Sequence, residues 1–96
     1  MKDQTSAINA ARTVAVRNPK GLHARPASKV AKLVQSFDAA VEIAYCGEQA
    51  EADSIMDLLM LGAAPGAELS VSGTGPDAEA AVSAVVDLIE RGFDEI

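Results

Sequence analysis

Thr13-Val14-Ala15-Val16-Arg17-Asn18-Pro19-Lys20-Gly21-Leu22-His23-Ala24-Arg25-Pro26-Ala27 decides how this chain folds. Val14 and Val16 alternate with small or polar residues, the two-residue period of a half-buried strand. Asn18-Pro19-Lys20-Gly21 is turn chemistry. Beyond it the period changes. Ala27, Val30, Ala31 and Val34 fall at i, i+3, i+4 and i+7, the apolar stripe of a helix over about Ala24–Ser36, with Ser28, Lys29, Lys32 and Gln35 on its wet side. Pro26 fits the first helical turn, where its missing N–H is not needed. The only histidine of the chain, His23, therefore stands at or next to the helix N-cap, with Arg25 two residues on.

Outward from that helix, Val41, Ile43 and Tyr45 alternate as a second strand. Cys46-Gly47-Glu48 turns it into a short third strand near Gln49–Ala52. Ser54 opens a short helix, with Asp57 at the spacing of a capping-box variant. Ala64-Pro65-Gly66 breaks the chain, and Glu68–Ser72 alternates around Leu69 and Val71 as a fourth strand. A last helix follows Gly73-Thr74-Gly75-Pro76-Asp77, with Ala78, Ala81, Val82, Val85 and Ile89 as its stripe, and ends near Gly92. The order β-α-β-β-α-β-α predicts an α+β open-faced sandwich: a four-stranded antiparallel sheet with three helices on one face. Residues 1–11 read as a flexible tail and 12–96 as one domain.

Composition narrows the function classes. Half of the 96 residues are apolar but only three are aromatic, so the core is aliphatic. No apolar run approaches the roughly 20 residues of a membrane span, and the first eleven residues lack a signal peptide's apolar core. Membrane insertion is not expected. Cys46 is alone, which points to a reducing cytoplasm and, with a single His, leaves no zinc cluster. Cys46 itself reads as incidental.

The net charge of −6 hides an asymmetry. Arg12, Arg17, Lys20, Arg25, Lys29 and Lys32 occur with no acid among them, whereas thirteen acids and one base, Arg91, follow Lys32. A solvated helix face would explain such an island. So would a docking surface that accommodates phosphate, and His23 lies inside it. An acidic whole without interleaved aromatics argues against nucleic acid. At a helix mouth, unpaired N–H groups and the dipole stabilise phosphate, so a neutral imidazole with a lone pair is placed to take a phosphoryl group. Arg25 is placed to hold the phosphoryl oxygens.

The Gly21-Leu22-His23-Ala24-Arg25-Pro26-Ala27 opening and Asp53-Ser54-Ile55-Met56 resemble the HPr family, the histidine-containing phosphocarrier proteins of the bacterial phosphoenolpyruvate phosphotransferase system. Ala50-Glu51-Ala52-Asp53-Ser54, Leu58-Leu59-Met60-Leu61, Thr74-Gly75-Pro76 and Gly92-Phe93-Asp94-Glu95 resemble its nitrogen-related branch more than its sugar-transport branch. The resemblance implies a carrier intermediate rather than an autonomous enzyme, without cofactor or metal, and a monomer. Phosphate would pass from enzyme I to Nδ1 of His23 and on to IIA-type acceptors, with the arginine matching Arg25 on the phosphate.

The family's partner surface maps onto the two helix tips, here Lys20, Ala24, Ile55, Met56 and Leu59. Ile55, Met56, Leu58, Leu59, Met60 and Leu61 cannot all face inward from one short helix, which leaves apolar side chains for such a surface. The serine matching Ser54 is a regulatory site in organisms with an HPr kinase/phosphorylase, whereas its own context reads as an N-cap. Lys20 before Gly21 and Asp53 before Ser54 depart from many relatives. The alternative from another class is a regulatory HPr-like binding module that controls partners without phosphotransfer.

Overall fold

Alternating burial in Glu68–Thr74 organises the sheet. Leu69, Val71 and Gly73 point inward, while Glu68 and Ser70 face solvent and Ser72 is half-buried. In the structure, a computed structural model that describes residues 9–95, this strand lies between two neighbours. In chain order the elements are β1 (Ala10–Ala15), α1 (Ala24–Val34), β2 (Ala40–Tyr45), β3 (Glu48–Glu51), α2 (Ile55–Met60), β4 (Glu68–Thr74) and α3 (Ala78–Glu90). A 3₁₀ turn over Gly92–Asp94 follows. The sheet order is β1-β4-β2-β3, and each neighbouring pair is antiparallel.

The inward faces of the strands, with Val14, Val41, Ile43, Ala50, Leu69 and Val71, form one core with the helix stripes. α1 contributes Ala27, Val30 and Val34, and α3 contributes Ala81, Val82, Val85 and Ile89. α3 lies against β1 and β4, α2 against β3, and α1 against both other helices. On the opposite face Thr13, Ser70 and Ala44 align in one row across three strands. That row buries little apolar area, which suits a sheet with one face in water. The expected α+β open-faced sandwich is the fold observed.

Element bounds shift where the apolar period is weak. The first strand runs over Ala10–Ala15 rather than Thr13–Arg17, because pairing extends from Ala10↔Gly73 to Ala15↔Glu68. Ala10–Arg12 carries no apolar alternation to announce that pairing. Val16 is buried beyond the strand's end, where its N–H still donates to the Ala67 carbonyl at 2.8 Å. The domain boundary expected at residue 12 therefore falls inside β1. Of the tail expected over 1–11, residues 1–8 lie outside the described residues. Cys46 and Gly47 both take left-handed φ values, +52° and +83°, forming the two-residue turn between β2 and β3.

Candidate functional site

The loop from β1 to α1 is built around a buried amide. Asn18 is fully buried, and its Nδ2 donates to the Gly21 carbonyl at 2.7 Å. Gly21 sits at φ +69°, where an added Cβ would meet the Ala63 carbonyl oxygen at 2.5 Å. Leu22 N–H donates to that same oxygen at 3.0 Å, which ties the loop to the chain leaving α2. A side chain at position 21 would meet both a steric and a conformational barrier.

This loop delivers His23 to the N-cap of α1 in extended conformation (φ −92°, ψ −167°). Its carbonyl accepts from Ala27 N–H at 3.0 Å, closing the first helical turn. The ring itself makes no capping hydrogen bond. Among the described residues, the N–H groups of Ala24 and Arg25 have no backbone partner, and Pro26, buried at the third position, has none to offer. The helix mouth thus presents two unpaired donors and the positive end of its dipole beside the imidazole.

The imidazole is about one-third exposed, and Nε2 lies 3.2 Å from Oε2 and 3.3 Å from Oε1 of Glu95. Nδ1 makes no hydrogen bond among the described residues. Asn18 Nδ2 also donates to Glu95 Oε1, at 2.8 Å, so one buried amide holds both the loop and the carboxylate. That hydrogen bond is the main reason the Glu95 carboxyl lies below its ordinary value. Partial burial opposes the shift, and His23 and Lys29 reinforce it.

The chain's last turn brings Glu95 there. Phe93 is fully buried, and its carbonyl accepts from Lys29 Nζ at 2.6 Å. Gly92, Phe93 and Asp94 have φ of +67°, +56° and +62°. For the two residues with a Cβ this costs on the order of 1–3 kcal/mol each, a strain that the surrounding packing must hold. Arg91 bridges Asp87 and Asp94, and its guanidinium keeps the Asp94 carboxyl below the ordinary range.

Lys20, His23, Ala24, Arg25, Lys29, Asp94 and Glu95 line one open cleft. The structure thereby brings together Lys20, His23, Ala24 and Arg25. Lys20, Ala24 and Arg25 are exposed. Arg25 has no ion pair among the described residues. No group of three or more His, Cys, Asp or Glu side chains among the described residues is arranged to hold a metal ion.

Ser54 caps α2: its Oγ accepts from Asp57 N–H at 3.2 Å. The reciprocal half of the capping box is not made. Asp57 Oδ2 accepts instead from Glu51 N–H at 3.3 Å, while Ser54 N–H donates to the Glu51 carbonyl. α2 buries Leu58 completely and exposes Ile55 (41%), Met56 (70%) and Leu59 (37%). Met60, not among the docking residues expected from the sequence, is the most exposed of these at 79%. It closes a six-residue helix, too short for periodicity to assign its last position. Asn18, read only as turn chemistry, and Glu95, noted only in the resemblance, were not expected at the site. The one local signal was Phe93, a large apolar residue between Arg91-Gly92 and Asp94-Glu95.

A family model described as "PTS HPr component phosphorylation site" matches residues 10–91. The phosphocarrier protein NPr of Escherichia coli (strain K12) is 48% identical over 84 residues, covering 86% of this chain and 93% of that protein. The phosphocarrier protein HPr of Chlamydia muridarum is 36% identical over 81 residues, covering 84% and 78%. Among solved structures, HPr from Thermoanaerobacter tengcongensis superposes with a TM-score of 0.86 at 34% identity, covering 91% of this chain and 98% of that one.

Proposed function

The chain belongs to the HPr family of phosphotransferase-system phosphocarrier proteins and sides with its nitrogen-related branch, and on that premise we propose that His23 is the residue that carries the phosphate. The donor is enzyme I and the acceptors are IIA-type proteins. In the accepting step the Nδ1 lone pair forms a bond to phosphorus as the donor's own bond to phosphorus breaks, its electron pair staying on the donor. Onward transfer reverses the roles: the Nδ1–P bond breaks, its pair returns to Nδ1, and a nucleophile of the acceptor forms the new bond.

One observation carries the reading: His23 stands at the N-cap of α1 beside two backbone N–H groups without a backbone partner among the described residues. They and the dipole favour the phosphoryl charge that arrives there. Arg25, exposed and without an ion pair among the described residues, folds over the phosphoryl oxygens, and Lys20 and Lys29 lower the cost of the added charge.

Lys20 and Ala24 at the tip of α1, with Ile55, Met56 and Leu59 on α2, form the docking surface, which exposed Met60 extends. A carrier that must leave each partner quickly suits small, weak interfaces, a monomeric state and a cytoplasmic location. Ser54 caps α2. If an HPr kinase/phosphorylase also modifies it, the added charge weakens docking by repulsion.

Incubation with enzyme I and phosphoenolpyruvate tests the assignment by intact mass. One acid-labile phosphate is expected on the wild type and none on His23→Ala. Losing a charge-assisted contact of about 1.5–3 kcal/mol should slow Arg25→Ala by roughly 10- to 100-fold at unchanged melting temperature. Arg25→Lys should recover part of that rate. Labelled His23→Ala, or Arg25→Ala at the wild-type rate, contradicts the corresponding role. A wild type that takes no phosphate leaves the regulatory binding module instead.

A further inference from the structure

Resting on the reading of His23 as the carrier, we propose that Glu95 is a positioning residue for the transfer, holding the proton on Nε2 so that Nδ1 presents its lone pair to phosphorus. An ionised carboxylate only accepts hydrogen bonds. With both oxygens of Glu95 within 3.3 Å of Nε2, the ring nitrogen facing it must be the donor. In the neutral ring this leaves the lone pair on Nδ1, the nitrogen without a partner among the described residues.

The carboxylate is itself positioned. Asn18, fully buried, donates to it at 2.8 Å, and buried Phe93 anchors the turn that carries it. Lys29 fixes that turn through the Phe93 carbonyl. Asp94 and Glu95 lie beyond the residues the family model matches, in the Gly92–Glu95 ending that resembles the nitrogen-related branch.

Proton and charge balance follow. Nε2 keeps its proton through both transfers. When Nδ1 bonds phosphorus the ring becomes cationic, and Glu95 faces that charge from the far nitrogen. When the Nδ1–P bond breaks, the pair returns to Nδ1 and the ring is neutral again. Glu95 thus works as the orienting carboxylate of a histidine nucleophile: it touches the ring and not the phosphate.

Two measurements on the full chain test this, with wild type, Glu95→Gln and Glu95→Ala compared at neutral pH. In proton NMR the wild type should show the Nε2-bound proton of His23 as a hydrogen-bonded, exchange-protected resonance, and Glu95→Ala should lose it. In rapid-quench transfer from phosphorylated enzyme I, Glu95→Ala should be slower by about tenfold in the maximal rate, with the half-saturating concentration unchanged. Glu95→Gln, which keeps an acceptor but not the charge, should lie between. Wild-type transfer by Glu95→Ala, or survival of the protected resonance in it, overturns the proposal. If the wild type accepts no phosphate, the reading of His23 fails instead, and the resonance is still there to report the contact.

Discussion

His23 and Glu95 are 72 residues apart in the chain and in contact through one ring nitrogen. The pairing makes stability depend on acid in a defined direction. Glu95 lies below the ordinary carboxylate value of 4.5, first through Asn18 and then through His23 and Lys29. A carboxyl lowered by folding contributes stability that is present above its unfolded value and is lost as pH falls through the folded one. Melting temperatures of the wild type and Glu95→Gln should therefore differ most above about pH 4.5 and converge as the solution is acidified below it. A gap that stays constant from neutrality into strong acid would contradict the ionic part of this contact. At this scale the sequence disclosed half of the site. His23 and Arg25 could be read because the helix start is written in adjacent residues. Glu95 could not, because its position depends on left-handed backbone at Phe93, which that residue type does not signal, and at Asp94, which signals it only weakly.

Among the elements, α2 separates core from surface most sharply. Leu58 is completely buried, so Leu58→Ala should cost about 2–5 kcal/mol in denaturant unfolding, the usual price of a core cavity. Met60→Ser should stay within about 0.5 kcal/mol of wild type, since its side chain is mostly in water. Yet the same change should weaken enzyme I binding, measured by calorimetry. Equal destabilisation by both substitutions, or unchanged binding by Met60→Ser, would contradict the division.

Three strands and two helices were legible because Val, Ile, Leu and Ala mark period 2 or 3.6 in them, whereas β3 was read from the Cys46-Gly47-Glu48 turn and α2 from the Ser54 cap. Their ends were less so. Ala10–Arg12 joins β1 through backbone pairing that has no apolar signature. Asp57, at capping-box spacing, serves Glu51 N–H instead of closing the box. The 3₁₀ turn after α3 begins at Gly92, a glycine that by itself signals only a helix stop.

Across the molecule, the fold converts a charge asymmetry in sequence into a mixed site. The basic stretch of the first third supplies Lys20, Arg25 and Lys29, and the acidic remainder returns Asp94 and Glu95 to the same cleft. Cations alone would favour phosphate without orienting the ring, and the returning carboxylate supplies the orientation. The sheet holds the two ends in place, since β1 precedes the loop of His23 and α3, which leads to Glu95, packs against β1.

Every role assigned to this cleft depends on which atom bears the phosphoryl group. Nitrogen–phosphorus correlation NMR on the phosphorylated, ¹⁵N-histidine-labelled protein reads this directly. Phosphorus should couple to Nδ1 of His23, with the proton retained on Nε2. Phosphorus on Nε2, or on any other residue, would contradict it.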